Sequence, residues 1–73
     1  MDYKQFFETL NENIHKSTTE RALKNLERVG ENYVKNVLKT KDISMIVKRD
    51  VRVEMNKSRK LIRKMKKKIR KSE

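Results

Sequence analysis

The chain has 73 residues, a formal charge of +11 and no cysteine. This length allows one small domain with a thin core, and the lack of cysteine excludes disulfides, thiol nucleophiles and thiolate metal sites. Apolar residues make up 34% of the chain, and the longest apolar run, 45–47, has three residues, which is far too short to span a membrane.

A first amphipathic helix is predicted over 2–15. Tyr3, Phe7, Leu10 and Ile14 recur at alternating four- and three-residue spacing, so they would share one side of a helix.

A second helix is predicted over 18–38. The sequence from Ser17 to Glu20 matches a capping box, with Ser17 as the N-cap and Glu20 at the third helical position. Gly30 lies within the apolar stripe of this helix, although glycine lowers helix stability by about 1 kcal/mol relative to Ala. We therefore expect a neighbouring helix to approach closely at Gly30. The stripe consists of Leu23, Leu26, Val29, Tyr33, Val34 and Val37.

The segment 43–56 is compatible with two structures. A strand would place the odd-numbered residues from 45 to 55 on one face, interrupted by Arg49. A helix would align Ile43, Val47 and Val51 in register with the segment that follows. A strand over 45–55 would have to pair across a dimer, because the chain offers no second candidate strand. We therefore favour the helix.

The C-terminal segment has a clear helical pattern. Ser58, Leu61, Ile62, Met65 and Ile69 fall within about a third of the helix circumference, and every Lys and Arg from 57 to 71 falls outside it. The predicted fold is mainly α, a small bundle of about three helices over 2–15, 18–38 and a C-terminal stretch to 71. The residues expected in the core or at a dimer interface are Tyr3, Phe6, Phe7, Leu10, Leu26, Tyr33, Val37, Leu61, Ile62, Met65 and Ile69.

Positive charge is concentrated at the C-terminus. Residues 1–40 hold seven basic and six acidic residues (+1), 41–56 hold four and three (+1), and 57–73 hold ten and one (+9), which together give +11. We therefore divide this single domain into a nearly neutral body, 1–56, and a basic amphipathic helix, 57–73. A concentrated cationic segment attracts polyanions.

The basic segment also repels itself. Its cations form six like-charged i,i+4 pairs, each unfavourable by roughly 0.2–0.5 kcal/mol at low salt. We therefore expect the free segment to fray and an anionic surface to order it. Its apolar stripe should be covered by the first two helices, a second copy of the chain or another protein.

Catalytic and metal sites are not indicated. His15 is the single histidine, and a catalytic or metal role would need further partners. The spacing of Glu20 with Lys24, and of Glu31 with Lys35, instead predicts i,i+4 ion pairs on solvated helix faces. We expect no enzymatic activity, no cofactor and no metal.

The sequence therefore predicts a non-enzymatic protein that binds nucleic acid without sequence selectivity. The partner is expected to be DNA, with RNA as an alternative, and the protein itself a homodimer or docked on a larger protein, with a membrane not expected. An alternative is a structural or assembly protein, such as a scaffold or an internal virion protein, whose C-terminal helix docks on another protein. We expect a cytoplasmic or virion-internal location, without secretion. The predicted phosphate-binding residues are Lys57, Arg59, Lys60, Arg63, Lys64, Lys66, Lys67, Lys68, Arg70 and Lys71.

Overall fold

Three helices make up the structure, a computed structural model that describes residues 2–72. They are α1 (Tyr3–Lys16), α2 (Glu20–Lys39) and α3 (Met45–Ser72). The predicted mainly α bundle is confirmed, and no strand occurs within residues 2–72. Met1 and Glu73, at the outer ends of the predicted segments 1–56 and 57–73, lie outside the described residues.

The alternative strand over 45–55 is wrong. This stretch forms the first turns of α3, and the physical reason is visible in the core. Val51 and Met55 lie one helical turn apart and are both fully buried in the bundle. In a strand, Val51 and Met55 would also lie on one face. Only a helix, however, aligns them with the buried Ser58 and Ile62.

Side chains cap the helix starts. The Asp2 carboxylate accepts a hydrogen bond from the Lys4 backbone N–H at 3.2 Å at the start of α1. The Ser44 hydroxyl accepts one from the Ile46 backbone N–H, also at 3.2 Å, at the start of α3. Such caps satisfy backbone donors that have no partner within the helix.

The predicted cap of α2 is displaced by two residues. Thr19, not Ser17, is the N-cap, and its hydroxyl accepts from the Ala22 backbone N–H at 3.2 Å. Ser17 instead ends α1, where its backbone N–H donates to the Ile14 carbonyl. Because both ends of this tight connection carry hydroxyl residues, the sequence pattern alone could not separate the end of one helix from the start of the next.

The core runs along the length of the bundle. Eight apolar residues from all three helices are buried, and further apolar residues pack against them. The 28 residues of α3 span about 42 Å at 1.5 Å per residue, which accounts for most of the 46 Å length of the molecule. The eight buried residues are Phe7, Leu10, Ile14, Leu23, Val37, Val51, Met55 and Ile62.

Aromatic rings join α1 to α2 at one end of this core. The Phe6 and Tyr33 rings stack with centroids 3.8 Å apart, and Phe7 meets both of them edge to face. Ring pairs of this kind contribute about 0.5–1.5 kcal/mol beyond the burial of their area. The cluster therefore holds the first helix on the second, independently of α3.

Gly30 is a point of close approach between the helices, as its place in the α2 stripe predicted. A Cβ at this residue would lie 2.7 Å from the Met55 Sδ and 3.1 Å from the Leu10 Cδ2. Only glycine leaves enough room here for side chains from both other helices. Val29, which the sequence assigned to the same stripe, is instead half-exposed.

Candidate nucleic-acid interface

The basic segment of α3 is two-sided in three dimensions. Ile62 is fully buried, while Leu61, Met65 and Ile69 are half-buried and pack against the core. This apolar stripe was expected to be covered by the first two helices, a second copy of the chain or another protein. In the structure, α1 and α2 cover it. The segment is therefore part of the bundle and not a separate arm.

The cations of this segment lie on the remaining sides of the helix. Arg59 and Lys66 are half-buried at the margin of the core. Because the apolar side is fixed against α1 and α2, the charged side is directed outward along about four turns. The exposed cations are Lys57, Lys60, Arg63, Lys64, Lys67, Lys68, Arg70 and Lys71.

Two of the predicted phosphate ligands are bound to carboxylates of α2. The Arg70 Nε donates to the Glu20 Oε1 at 2.8 Å, and the Arg59 Nη2 lies 3.4 Å from the Glu31 Oε1. Glu20 and Glu31 were expected to pair with lysines of their own helix. That expectation is wrong because α3 brings a guanidinium to each carboxylate.

Lys57 is also engaged, since its Nζ lies 3.5 Å from the Glu54 Oε1 within α3. Six other cations of the segment take part in no ion pair with a residue of the described range 2–72. Their charge is therefore the part of the +9 that is available to an external anion. These six are Lys60, Arg63, Lys64, Lys66, Lys67 and Lys71.

The expected fraying of the free basic segment stays a prediction. In the structure, α3 is helical through Ser72. Contacts of Met65 and Ile69 with the core, together with the pair between Arg70 and Glu20, offset the repulsion along the helix. These contacts favour a fixed array of cations, and such preorganisation lowers the entropy cost of binding.

Two cations of this surface were missed from the sequence. Arg49 and Arg52 are exposed, and on a helical projection they lie on the same outward side of α3 as Lys60, Arg63 and Lys67. The spacing 49, 52, 56, 60, 63 and 67 would have identified them. This spacing forms a stripe only if 43–56 is helical, and the sequence of that segment is compatible with a strand as well.

The positions of other polar residues in the fold suggest structural roles. His15 is exposed in the last turn of α1, where a basic side chain faces the helix C-terminus. Ser58 is fully buried and its hydroxyl donates to the Asn11 Oδ1 at 2.7 Å. Over residues 2–72, no group of three or more His, Asp or Glu side chains is arranged to hold a metal ion.

The described helices were also compared with the requirements of a membrane span, and none is both long and apolar enough to cross a bilayer. Comparison of the chain with protein-family models, with curated proteins and with solved structures finds no match.

Proposed function

We propose that this protein is a non-enzymatic nucleic-acid-binding protein that contacts the phosphate backbone through the outward side of α3 over residues 57–71. The observation that carries the proposal is the fixed orientation of this segment, whose apolar side is buried in the bundle while its cations are directed outward. Lys and Arg bind phosphates without reading the base sequence.

The number of available cations sets the expected salt dependence of binding. Six cations have no ion pair among residues 2–72, and each that neutralises a phosphate releases a counterion. If all six bind duplex DNA, log K should fall against log salt with a slope of about −5. On a single strand the slope should be about −4.

Selectivity for base sequence is not expected from this surface. Direct reading of bases uses amide and guanidinium side chains placed against base edges. Within 57–71 the candidates are Arg59, Arg63 and Arg70, and two of these are held by Glu31 and Glu20. The proposed ligand is therefore defined by its phosphate backbone, with DNA preferred as the first substrate to test.

The alternative function, docking of the C-terminal helix on another protein through its apolar stripe, has less support. Ile62 is fully buried, and Met65 and Ile69 already pack against the core. A partner using this stripe would have to displace α1 and α2.

The test is a salt titration of binding to duplex DNA, single-stranded DNA and duplex RNA of equal length. The decisive variant combines Lys60→Gln, Lys64→Gln and Lys67→Gln, which removes three outward charges without touching the core. We expect its slope on duplex DNA to fall to about half that of the unmodified chain.

A matched control removes three exposed lysines near the other end of α3. Lys35→Gln, Lys39→Gln and Lys41→Gln together change the net charge by the same amount. This control should keep most of the affinity and slope. A slope near zero for the unmodified chain, or equal losses in both triple variants, would reject the proposed interface.

A further inference from the structure

An apolar patch lies at the opposite end of α3 from the basic segment. Met45 is 78% exposed, Ile46 is 73% exposed and Val53 is 46% exposed. On a helical projection all three lie on the outward side of α3, away from the buried Val51. Single exposed apolar residues are common, but a cluster of large ones on one helix face marks an interaction surface.

The patch borders a groove between α2 and α3. The groove has a volume of about 570 Å³ and is lined by Leu38 of α2 together with Met45 and Ile46 of α3. Apart from Leu38, its lining residues come from the first turns of α3, between Met45 and Asn56.

Cations surround this groove. Lys48, Arg49 and Arg52 line it, and no carboxylate of residues 2–72 does. The nearest acidic residues of α3 are directed elsewhere, since Asp50 accepts a hydrogen bond from the Tyr3 hydroxyl and Glu54 pairs with Lys57. The groove therefore has an apolar floor and a rim of positive charge.

The charge of the rim argues against a second copy of the chain. In a two-fold dimer through this patch, the helices would cross midway between Ile46 and Val53, which is the position of Arg49. The symmetry would then place Arg49 against its own counterpart, with Arg52 close by. Like charges brought together at an interface are unfavourable.

We propose that this groove binds an acidic amphipathic helix of another protein. The partner's apolar side chains would cover Met45, Ile46 and Val53, and its Glu or Asp carboxylates would pair with Arg49 and Arg52. Helices with a regular apolar stripe bind such grooves, and guanidinium groups pair with carboxylates through two parallel hydrogen bonds. This proposal does not depend on nucleic-acid binding by residues 57–71.

The probe is a synthetic helical peptide of about four turns with leucines along one side and glutamates flanking them. A second peptide has the same leucines with lysines in place of the glutamates. Fluorescence anisotropy with the full chain should show binding of the glutamate peptide at least about tenfold tighter than the lysine peptide.

Variants of the chain test the location. Ile46→Ser combined with Val53→Ser should weaken the glutamate peptide at least about tenfold, because both side chains are covered on binding. Val29→Ser removes a comparably exposed side chain from α2 and should leave the affinity unchanged. Circular dichroism of each variant checks that the helices remain folded.

Three results would overturn the proposal. Equal binding of both peptides would show simple apolar adhesion. A dimer of the unmodified chain in analytical ultracentrifugation that the double serine variant dissociates would assign the patch to a second copy. A loss of duplex DNA affinity in that variant as large as its loss of peptide affinity would assign the patch to the nucleic-acid surface instead.

Discussion

Glu20 and Arg70 join the first turn of α2 to the last turns of α3 through a 2.8 Å hydrogen bond between the Glu20 Oε1 and the Arg70 Nε. Both side chains are substantially exposed, so the pair contributes only about 0–1 kcal/mol to stability. It also bears on the proposed function, because it holds one of the predicted phosphate ligands on a carboxylate of the protein itself.

Glu20→Gln should therefore strengthen nucleic-acid binding. The substitution removes the negative charge that competes with phosphate for Arg70. If Arg70 then binds one more phosphate, the slope of log K against log salt on duplex DNA becomes steeper by about 0.9. The measurement is the same salt titration. The midpoint of urea unfolding should change little.

Glu12→Gln is the control for this prediction, because it removes an equal charge from an exposed site on α1 that has no ion pair among residues 2–72. It should leave the slope unchanged. Equal effects of both substitutions would mean that net charge, and not release of Arg70, controls binding.

Much of the fold could be predicted because apolar spacing fixes helices locally. The recurrence of Tyr3, Phe7, Leu10 and Ile14 identified α1 to within one residue at each end. The stripe Leu61, Ile62, Met65 and Ile69 likewise identified the C-terminal helix and its apolar side, which in the structure packs against the core. These patterns depend only on the chain's own periodicity.

The parts that the sequence left open or assigned wrongly depend on which elements meet. Residues 43–56 satisfy both helical and strand periodicity, and the choice is made by burial of Val51 and Met55 against the other helices. The carboxylates of Glu20 and Glu31 have lysines four residues away in sequence, yet pair with Arg70 and Arg59 across 50 and 28 residues. Local spacing contains no information about such contacts.

Gly30→Val should destabilise the bundle although valine is a better helix former than glycine. The added atoms would overlap the Met55 side chain, which is fully buried. Overpacking of this kind costs about 1–3 kcal/mol in the free energy of unfolding, measured by urea denaturation. Asn32→Val, at an exposed site on the same helix, should cost much less.

The Met55 contact can be isolated by a double-mutant cycle. Met55→Ala is itself expected to cost about 2–5 kcal/mol, but it should reduce the cost of Gly30→Val, with a coupling energy of about 0.5–3 kcal/mol. Strict additivity of the two changes would contradict close packing between these residues.

The hydrogen bond from the Ser58 hydroxyl to the Asn11 Oδ1 should couple α3 to α1 energetically. Ser58 is fully buried, so Asn11→Ala leaves its hydroxyl without this partner and should cost about 1–3 kcal/mol of unfolding free energy. The double variant Asn11→Ala with Ser58→Ala should cost less than the sum of the single variants. Asn13→Ala, exposed on α1, is the matched control and should have little effect.

Stability should fall at alkaline pH through Tyr3. Its hydrogen bond to Asp50, with further contributions from desolvation and neighbouring carboxylates, raises the pKa of Tyr3 above its usual 10.0 in the folded protein. The unfolded chain therefore loses this proton first, so the stabilising contribution of Tyr3 is present below pH 10.0 and is lost as pH rises through the folded pKa.

Burial raises the pKa of Tyr33 as well, so Tyr33→Phe isolates Tyr3 for an ultraviolet titration of tyrosinate. We expect the Tyr3 midpoint of folded Tyr33→Phe protein to lie above that of the same protein in urea, and Asp50→Asn to lower it. An unchanged midpoint after Asp50→Asn would show that the hydrogen bond does not control the titration.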